Sequence, residues 1–417
     1  MKHFTIKFSL FINYFVFAVL LNSVGTVILQ VQSSYGVSES GASVLEAFKD
    51  LSIALTSLLV ASFIVRIGYK RSMLIGLAIV GVVCMAMPQL PVFWMTKLLF
   101  AAIGVSFALI KISVFATLGL VTGSRKEHVS TMNFLEAFFM VGVLSGYFMF
   151  SAFVDDLDPG AMGWLRVYYV LGTLSFAAFV LLLVARLDES RVVATESRGP
   201  AGDFVAMMAL CARPLVLVFV ASAFLYVLIE QSIMSWLPTF NNRILKLPAS
   251  LSIEMASILA ASTALGRLLA GFAFRWLDWF KVLITGLLLA AALVLLCLPL
   301  AGRVDASGVT SWFDAPFAAY VFPLIGLCIA PVYPAINSVI LSSLPARQHA
   351  PMAGLIVLFS ALGGTSGSIV TGTLFEVLGG RSAFYFSLVP IGVLLCTLYF
   401  FRSKADGERR SAAHAEA

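Results

Sequence analysis

Leu58-Leu-Val-Ala-Ser-Phe-Ile-Val-Arg66, running on to Ile75-Gly76, returns 210 residues later as Leu268-Leu-Ala-Gly-Phe-Ala-Phe-Arg-Trp276, followed by Thr285-Gly286. Ile103-Gly104 reappears as Ile325-Gly326 at a spacing of 222, and Gly142-Val-Leu-Ser145-Gly146 as Gly363-Gly-Thr-Ser366-Gly367 at 221. Gly and Leu recur by chance in apolar helices, so no single match decides anything. Three matches in the same order, with spacings within 12 residues of each other, imply a chain built twice over.

What repeats is apolar. The 417 residues are 60% hydrophobic and 12% charged, with a mean hydropathy of +1.00. A soluble chain is nearer 45–50% apolar and about 25% charged. There is too little charge here to coat a water-exposed surface, which excludes a large cytosolic enzyme and a disordered chain. A membrane helix needs about 20 mostly apolar residues. Breaks at charge and Pro/Gly clusters leave twelve such runs: roughly 8–29, 43–65, 72–89, 91–121, 131–153, 165–185, 214–238, 252–274, 282–300, 316–344, 351–378 and 382–401. The first is too long for the apolar part of a secretory signal and lacks a small-x-small cleavage site, so it is expected to stay as an anchor helix.

Basic residues set the orientation. With both termini cytoplasmic, 18 of the 27 Lys and Arg lie on the inner side, including Lys2, Arg66, Lys70, Arg71, Arg191, Arg198 and Arg347. Five lie outside (Arg166, Arg243, Lys246, Arg303, Arg381), and four fall within spans. Residues 187–213 are polar and read as a cytoplasmic linker. The expected organisation is therefore an all-α membrane protein: a six-helix bundle over 1–186, the linker, a second six-helix bundle over 214–402, and a cytoplasmic tail over 403–417.

The net charge of +6 is spread in ones to threes between apolar runs, which fits loops facing an anionic leaflet and not a nucleic-acid surface. The cysteines form no CxxC or Cys/His ligand spacing, and the histidines sit in loops and tails, so neither disulfides nor a metal site is expected. Gly363, Gly364, Gly367 and Gly372 lack the preceding strand and following Lys-Ser/Thr of a phosphate loop and fit close helix packing instead. No catalytic arrangement can be assembled from loops this short, and no cofactor is expected beyond a proton gradient as energy source.

Twelve spans, a doubled six-helix unit and a basic loop after span two resemble the major facilitator superfamily. That family's loop motif runs Gly-x-x-x-Asp-Arg-x-Gly-Arg-Arg. Here Ala61-Ser-Phe-Ile-Val65-Arg66-Ile-Gly68-Tyr69-Lys70-Arg71 keeps Arg66, Gly68 and the basic Lys70, and departs at Ala61, Val65 and Tyr69. The resemblance implies two pseudo-symmetric bundles and a gating loop of Arg66, Gly68, Lys70 and Arg71. Leu45-Glu-Ala-Phe48, Asn133-Phe-Leu-Glu-Ala-Phe138 and Ile229-Glu-Gln-Ser-Ile-Met-Ser-Trp236 are most similar to the fucose-permease and sugar:proton symporter branch. That branch often carries an acidic residue in span four, where this chain has Lys111. Drug antiporters of the superfamily typically carry Gly-Pro in span five, and Gly142-Val-Leu-Ser-Gly146-Tyr147 has no proline.

An ionisable group deep in a span costs several kcal/mol unless paired or wetted, so it faces the bundle interior or a cavity. Eight charges qualify: Glu46, Lys49, Asp50, Lys97, Lys111 and Glu136 in the first half, Glu230 and Arg267 in the second. Glu46, Lys49 and Asp50 share a helical face by their i, i+3, i+4 spacing. Asp50 and Lys97 lie at similar depth and are expected to pair, joining spans two and four. Lys111 and Glu136 differ in depth by roughly 7–8 Å, a gap two long side chains span. A carboxylate facing a lysine in a low-dielectric cavity is readily switched between charge states. Glu136, Asp50, Glu46 and Glu230 are the proton-coupling candidates. Lys111, Lys49 and Lys97 are the charged candidates for solute binding.

Asn13, Asn22 and Asn337 are amides suited to a polyol, although membrane amides also hold helices together. Tyr333 stands at the repeat position of Lys111 between Pro331 and Pro334, which are expected to open the helix near a cavity. Gln231 adjoins Glu230, and Trp236 offers a stacking face or an interfacial anchor. Arg267, in a Gly-Arg-Leu-Leu-Ala-Gly run, is expected to act as a gating or interbundle anchor. These residues together point to a proton-linked symporter of a small polar solute, sugar-like or a small organic anion, working as a monomer in a bacterial inner membrane. A proton-driven exporter of a drug or amphiphile is the alternative, and a non-transporting receptor would need a soluble output domain that the 16 residues from Arg402 onward do not supply.

Overall fold

Backbone in hydrocarbon has to satisfy its own hydrogen bonds, and a continuous apolar segment does so as a helix. The computed structural model describes residues 4–60, 64–122, 125–189, 199–301, 309–345 and 348–416, and no strand occurs among them. Ala61 of the loop motif, and Lys2, Arg191, Arg198, Arg303 and Arg347 of the orientation argument, lie outside the described residues.

The first unit, Met1–Ser38 with Val44–Pro200, contains α1 (Phe4–Asn22), α2 (Val24–Tyr35), most of α3 (Glu39–Val60), α4 (Ile64–Ile67), α5 (Tyr69–Ala86), α6 (Phe93–Val121), α7 (Arg125–Ser151) and α8 (Val167–Val184). The second, Glu39–Ser43 with Ala201–Ala417, contains most of α9 (Gly199–Ala209), then α10 (Pro214–Met234), α11 (Leu237–Arg243), α12 (Ala249–Ala273) and α13 (Trp279–Ala301). It continues with α14 (Phe317–Val321), α15 (Ile325–Ile329), α16 (Val332–Ser342), α17 (His349–Leu378), α18 (Gly380–Tyr385) and α19 (Leu388–Glu416).

Among the described residues, eleven segments are long and apolar enough to cross a membrane. The one expected span missing from these is the second, α3, which has the length, at 22 residues, but carries Glu46, Lys49 and Asp50 within it. Local chemistry accounts for several departures from plain spans. α1 gives way to α2 at Ser23, where the Asn22 amide donates to the Ala18 carbonyl at 2.8 Å and the Ser23 hydroxyl to Leu20 at 2.7 Å. Pro323 and Pro331 mark the breaks that divide the tenth span into α14, α15 and α16, because each lacks the N–H that would continue the ladder, while Pro334 sits in the first turn of α16. The stretch expected to be a plain polar linker contains α9, which opens on Gly199-Pro200 and carries Phe204, Val205, Met207 and Met208. Proline is favourable in the first turn of a helix.

The internal repeat is expressed in packing. In the first unit, Gly104 of α6 rests on the Lys49 backbone and the Ser52 side chain of α3; in the second, Gly326 of α15 rests on Leu259 and Thr263 of α12. Likewise Gly142 and Gly146 of α7 lie against Phe15, Ala18 and Val19 of α1, and Gly363 and Gly367 of α17 against the Phe224 and Leu228 backbone of α10. A Cβ at most of these positions would overlap the facing helix, which is why small residues recur there. Phe15 to Phe224 and Val19 to Leu228 are both 209 residues apart, so the repeat extends to the helices that receive the glycines.

Candidate functional site

In the first unit, α6 is unbroken for 29 residues and carries Lys111 past its midpoint. Lys111 is exposed, with its ammonium 5.6 Å from the centre of the Phe107 ring one turn earlier. Glu136 on α7 is exposed as well and lies within electrostatic reach of both Lys111 and Tyr14 of α1. Tyr14 is buried, its ring between Phe115 and Phe139 at 6.1 and 5.5 Å, and its hydroxyl makes no hydrogen bond among the described residues. The structure thus brings Lys111 and Glu136 together and adds Tyr14, which the sequence reading did not single out. The neighbouring Asn13 is fully buried with neither amide atom bonded among the described residues.

Glu46, Lys49 and Asp50 form a second group on α3. The Lys49 ammonium bonds to the Glu46 carboxylate and lies 3.4 Å from Asp50. All three are buried, and α3 begins at Glu39, so Glu46 is well inside the helix. The expected Asp50–Lys97 pair does not form. The i, i+3, i+4 spacing lets Lys49 serve both carboxylates within one helix, while the Lys97 ammonium sits over the rings of Phe93 and Phe48 at 4.6 and 6.0 Å.

The second unit gathers its polar groups from α10, α12, α16 and α17. Tyr226 donates to Glu230, one turn on, at 2.7 Å, and Arg267 approaches the same carboxylate oxygen at 3.6 Å. The Tyr226 ring stacks on Tyr333 at 5.6 Å and 22°, and the Tyr333 hydroxyl meets the Ser360 hydroxyl at 2.9 Å. Asn337, one turn after Tyr333, acts on the Tyr333 hydroxyl, and its own amide oxygen is buried without a hydrogen bond among the described residues. Gln231 is half-buried beside Glu230. Arg267, expected as a gating or interbundle anchor, joins this group through Glu230. Next to it, Gly266 brings α12 directly onto the Leu327 backbone.

One further expectation is corrected. Trp236 is neither a stacking platform nor an interfacial anchor: it is fully buried, donates to the Ser368 carbonyl at 3.1 Å and stacks on Phe375 at 5.3 Å. Asn22 lies at the α1–α2 break, half-buried, and donates one amide N–H to the Ala18 carbonyl.

The loop after α3 has its own architecture. Gly68 holds φ +91°, a conformation that side chains with a Cβ rarely adopt. Arg66 and Arg71 are exposed. Lys70 is half-buried and reaches the carbonyls of Leu183 and Ala185 at the end of α8. Its backbone N–H is bound by Glu189, so a carboxylate from beyond α8 serves the first turn of α5 in a loop where the family's Asp is replaced by Val65. Nothing in the local sequence connects position 189 to this loop, which is why the reading of the motif missed it.

By fold, the chain is a repeated helical membrane protein with charged groups on exposed positions of both units. The family model described as the Major Facilitator Superfamily matches the chain in two overlapping stretches, residues 10–365 and 275–416. The chain belongs to that superfamily, and it is a transporter and not an enzyme. No curated protein sequence matches it significantly. Its fold is similar to that of a bacterial homolog of the human lysosomal transporter Spinster in an inward-facing and occupied conformation, with a TM-score of 0.75, 13% identity, and 95% of this chain and 96% of that one covered. It is also similar to the nucleoside transporter NupG (TM-score 0.70, 15% identity, 95% and 98% covered). A D-xylose-proton symporter shares the fold at a TM-score of 0.69 and 13% identity, with 95% and 97% covered.

Proposed function

We propose that this transporter is a proton-coupled symporter that takes up a small polar solute by alternating access. The observation that carries the reading is that exposed Lys111 of α6 and Glu136 of α7 stand within their spans, each within electrostatic reach of the other. Intramembrane charge is expensive and persists where solute or ion uses it. Glu136 is the group that takes the proton, and Lys111 orients the solute. Tyr333 and Asn337, beside the Tyr226–Glu230–Arg267 group, give the second unit hydroxyl and amide groups suited to a polar solute. Two proteins of this fold, named a nucleoside transporter and a D-xylose-proton symporter, support a polar solute. The excess of Lys and Arg on one side supports a bacterial inner-membrane location with both termini cytoplasmic.

The test is uptake by the purified protein in liposomes under an inward-directed proton gradient, with a panel of hexoses and small carboxylates. Accumulation that collapses on adding a protonophore is the expected result. Accumulation indifferent to the protonophore contradicts the coupling.

A further inference from the structure

Four cations stand within the spans, and the structure accounts for three of them. Lys49 lies between Glu46 and Asp50. Arg267 is paired with Glu230. Lys97 rests over two aromatic rings, one turn into α6. Lys111 differs from these. It is deep in α6 and exposed, and among the described residues it forms no ion pair; its close contact is the face of Phe107. Glu136 acts on it electrostatically from beyond ion-pair distance.

An ammonium group held deep in a span, exposed on its helix and without a carboxylate in contact among the described residues, has room for a negatively charged oxygen. A ring face compensates a desolvated cation by only about 0.5–2 kcal/mol. The hydroxyl of Tyr14, which shares Glu136 as an electrostatic neighbour, is a buried donor with no acceptor among the described residues. A neutral polyol would leave the ammonium balanced only by dipoles and by Glu136 from beyond contact, whereas a carboxylate matches it directly. We propose that the solute of this transporter is a small organic anion, a carboxylate, and that Lys111 binds its charged group. The proposal rests on the reading of the Lys111–Glu136 pair as a solute site, but not on proton coupling. The Glu230–Arg267 pair supports the assignment by contrast: the second unit's cation already has its carboxylate.

The experiment is ligand-induced thermal stabilisation of the full-length protein in detergent, with no membrane or gradient present. The probes are matched pairs: gluconate against glucose, lactate against lactamide, and benzoate against benzamide. At least one carboxylate is expected to raise the melting temperature while its neutral partner does not. Lys111→Gln is expected to weaken that binding by about tenfold or more, and Lys111→Arg to retain most of it. Lys111→Arg also guards against misreading a misfolded Lys111→Gln protein. Stabilisation by neutral members alone, by none of the probes, or by a carboxylate acting equally on Lys111→Gln overturns the proposal. Failure of the protonophore assay leaves this outcome intact, so the two readings fail separately.

Discussion

Glu189 accepts the backbone N–H of Lys70 at 2.8 Å across 119 residues of chain. The Lys70 ammonium returns the connection, donating to the carbonyls of Leu183 at 3.0 Å and Ala185 at 2.7 Å. The first turn of α5 thus serves carbonyls at the end of α8, and the segment just beyond α8 serves a backbone N–H of α5, groups that every helix end leaves unpaired. Glu189→Ala removes an N-terminal cap supplied from a distance and is expected to cost about 1 kcal/mol. Gly68→Ala is expected to cost more, about 1–3 kcal/mol, because Gly68 is at φ +91° and a Cβ there would meet the Glu189 carboxylate at 2.7 Å. Thermal unfolding in detergent checks both; equal stability of wild type and Glu189→Ala would make the contact incidental.

The Glu230–Arg267 pair makes a sharper energetic prediction. Arg267→Gln leaves the Glu230 carboxylate to the Tyr226 hydroxyl alone, and Glu230→Gln leaves the guanidinium without its carboxylate. The double variant removes both charges and is expected to be more stable than the sum of the two single losses. A double-mutant cycle on unfolding should give a coupling energy of about 0.5–3 kcal/mol; additive losses would show that the two groups do not sense each other.

On α3 the sign is the same and the burial greater. Lys49→Met strands two carboxylates that are 0% and 8% exposed, and breaking a buried pair from one side costs on the order of 3–5 kcal/mol. Neutralising the set together, with Glu46→Gln, Lys49→Gln and Asp50→Asn, is expected to recover most of that loss. The yield of monodisperse protein and its melting temperature report the difference.

Trp236 supplies a prediction about stability without function. Trp236→Ala is expected to cost about 3–5 kcal/mol as a buried aromatic truncation. Trp236→Phe retains the stack on Phe375 and loses the bond to the Ser368 carbonyl, a loss of about 1 kcal/mol. Uptake per folded molecule should be unchanged in Trp236→Phe. Altered solute preference would return Trp236 to the binding site.

These outcomes separate what was legible in the sequence from what was not. The doubled fold was readable because helix crossings need small residues, and Gly104, Gly142 and Gly146 and their partners Gly326, Gly363 and Gly367 keep their order in both halves. Lys111, Glu136, Glu230 and Arg267 were readable as residues because charge is rare in apolar runs. Their partners were not. Equal depth along two helices carries no information on rotation, so Asp50 and Lys97 look matched in the sequence although each has a nearer neighbour. Tyr226 carried a usable signal, four residues before Glu230 on one helix face. Tyr14, Ser360 and Glu189 meet their partners only through the fold, and no spacing in the chain reports them.

The most direct test of the central claim separates proton movement from solute movement at Glu136. Proteoliposomes containing a pH-sensitive dye are given an external carboxylate that the wild-type protein takes up, and solute exchange is followed in parallel with radiolabel. Wild type is expected to acidify the lumen as solute enters, while Glu136→Gln exchanges solute across the membrane without solute-driven acidification. Solute-driven acidification by Glu136→Gln at the wild-type rate would contradict the account.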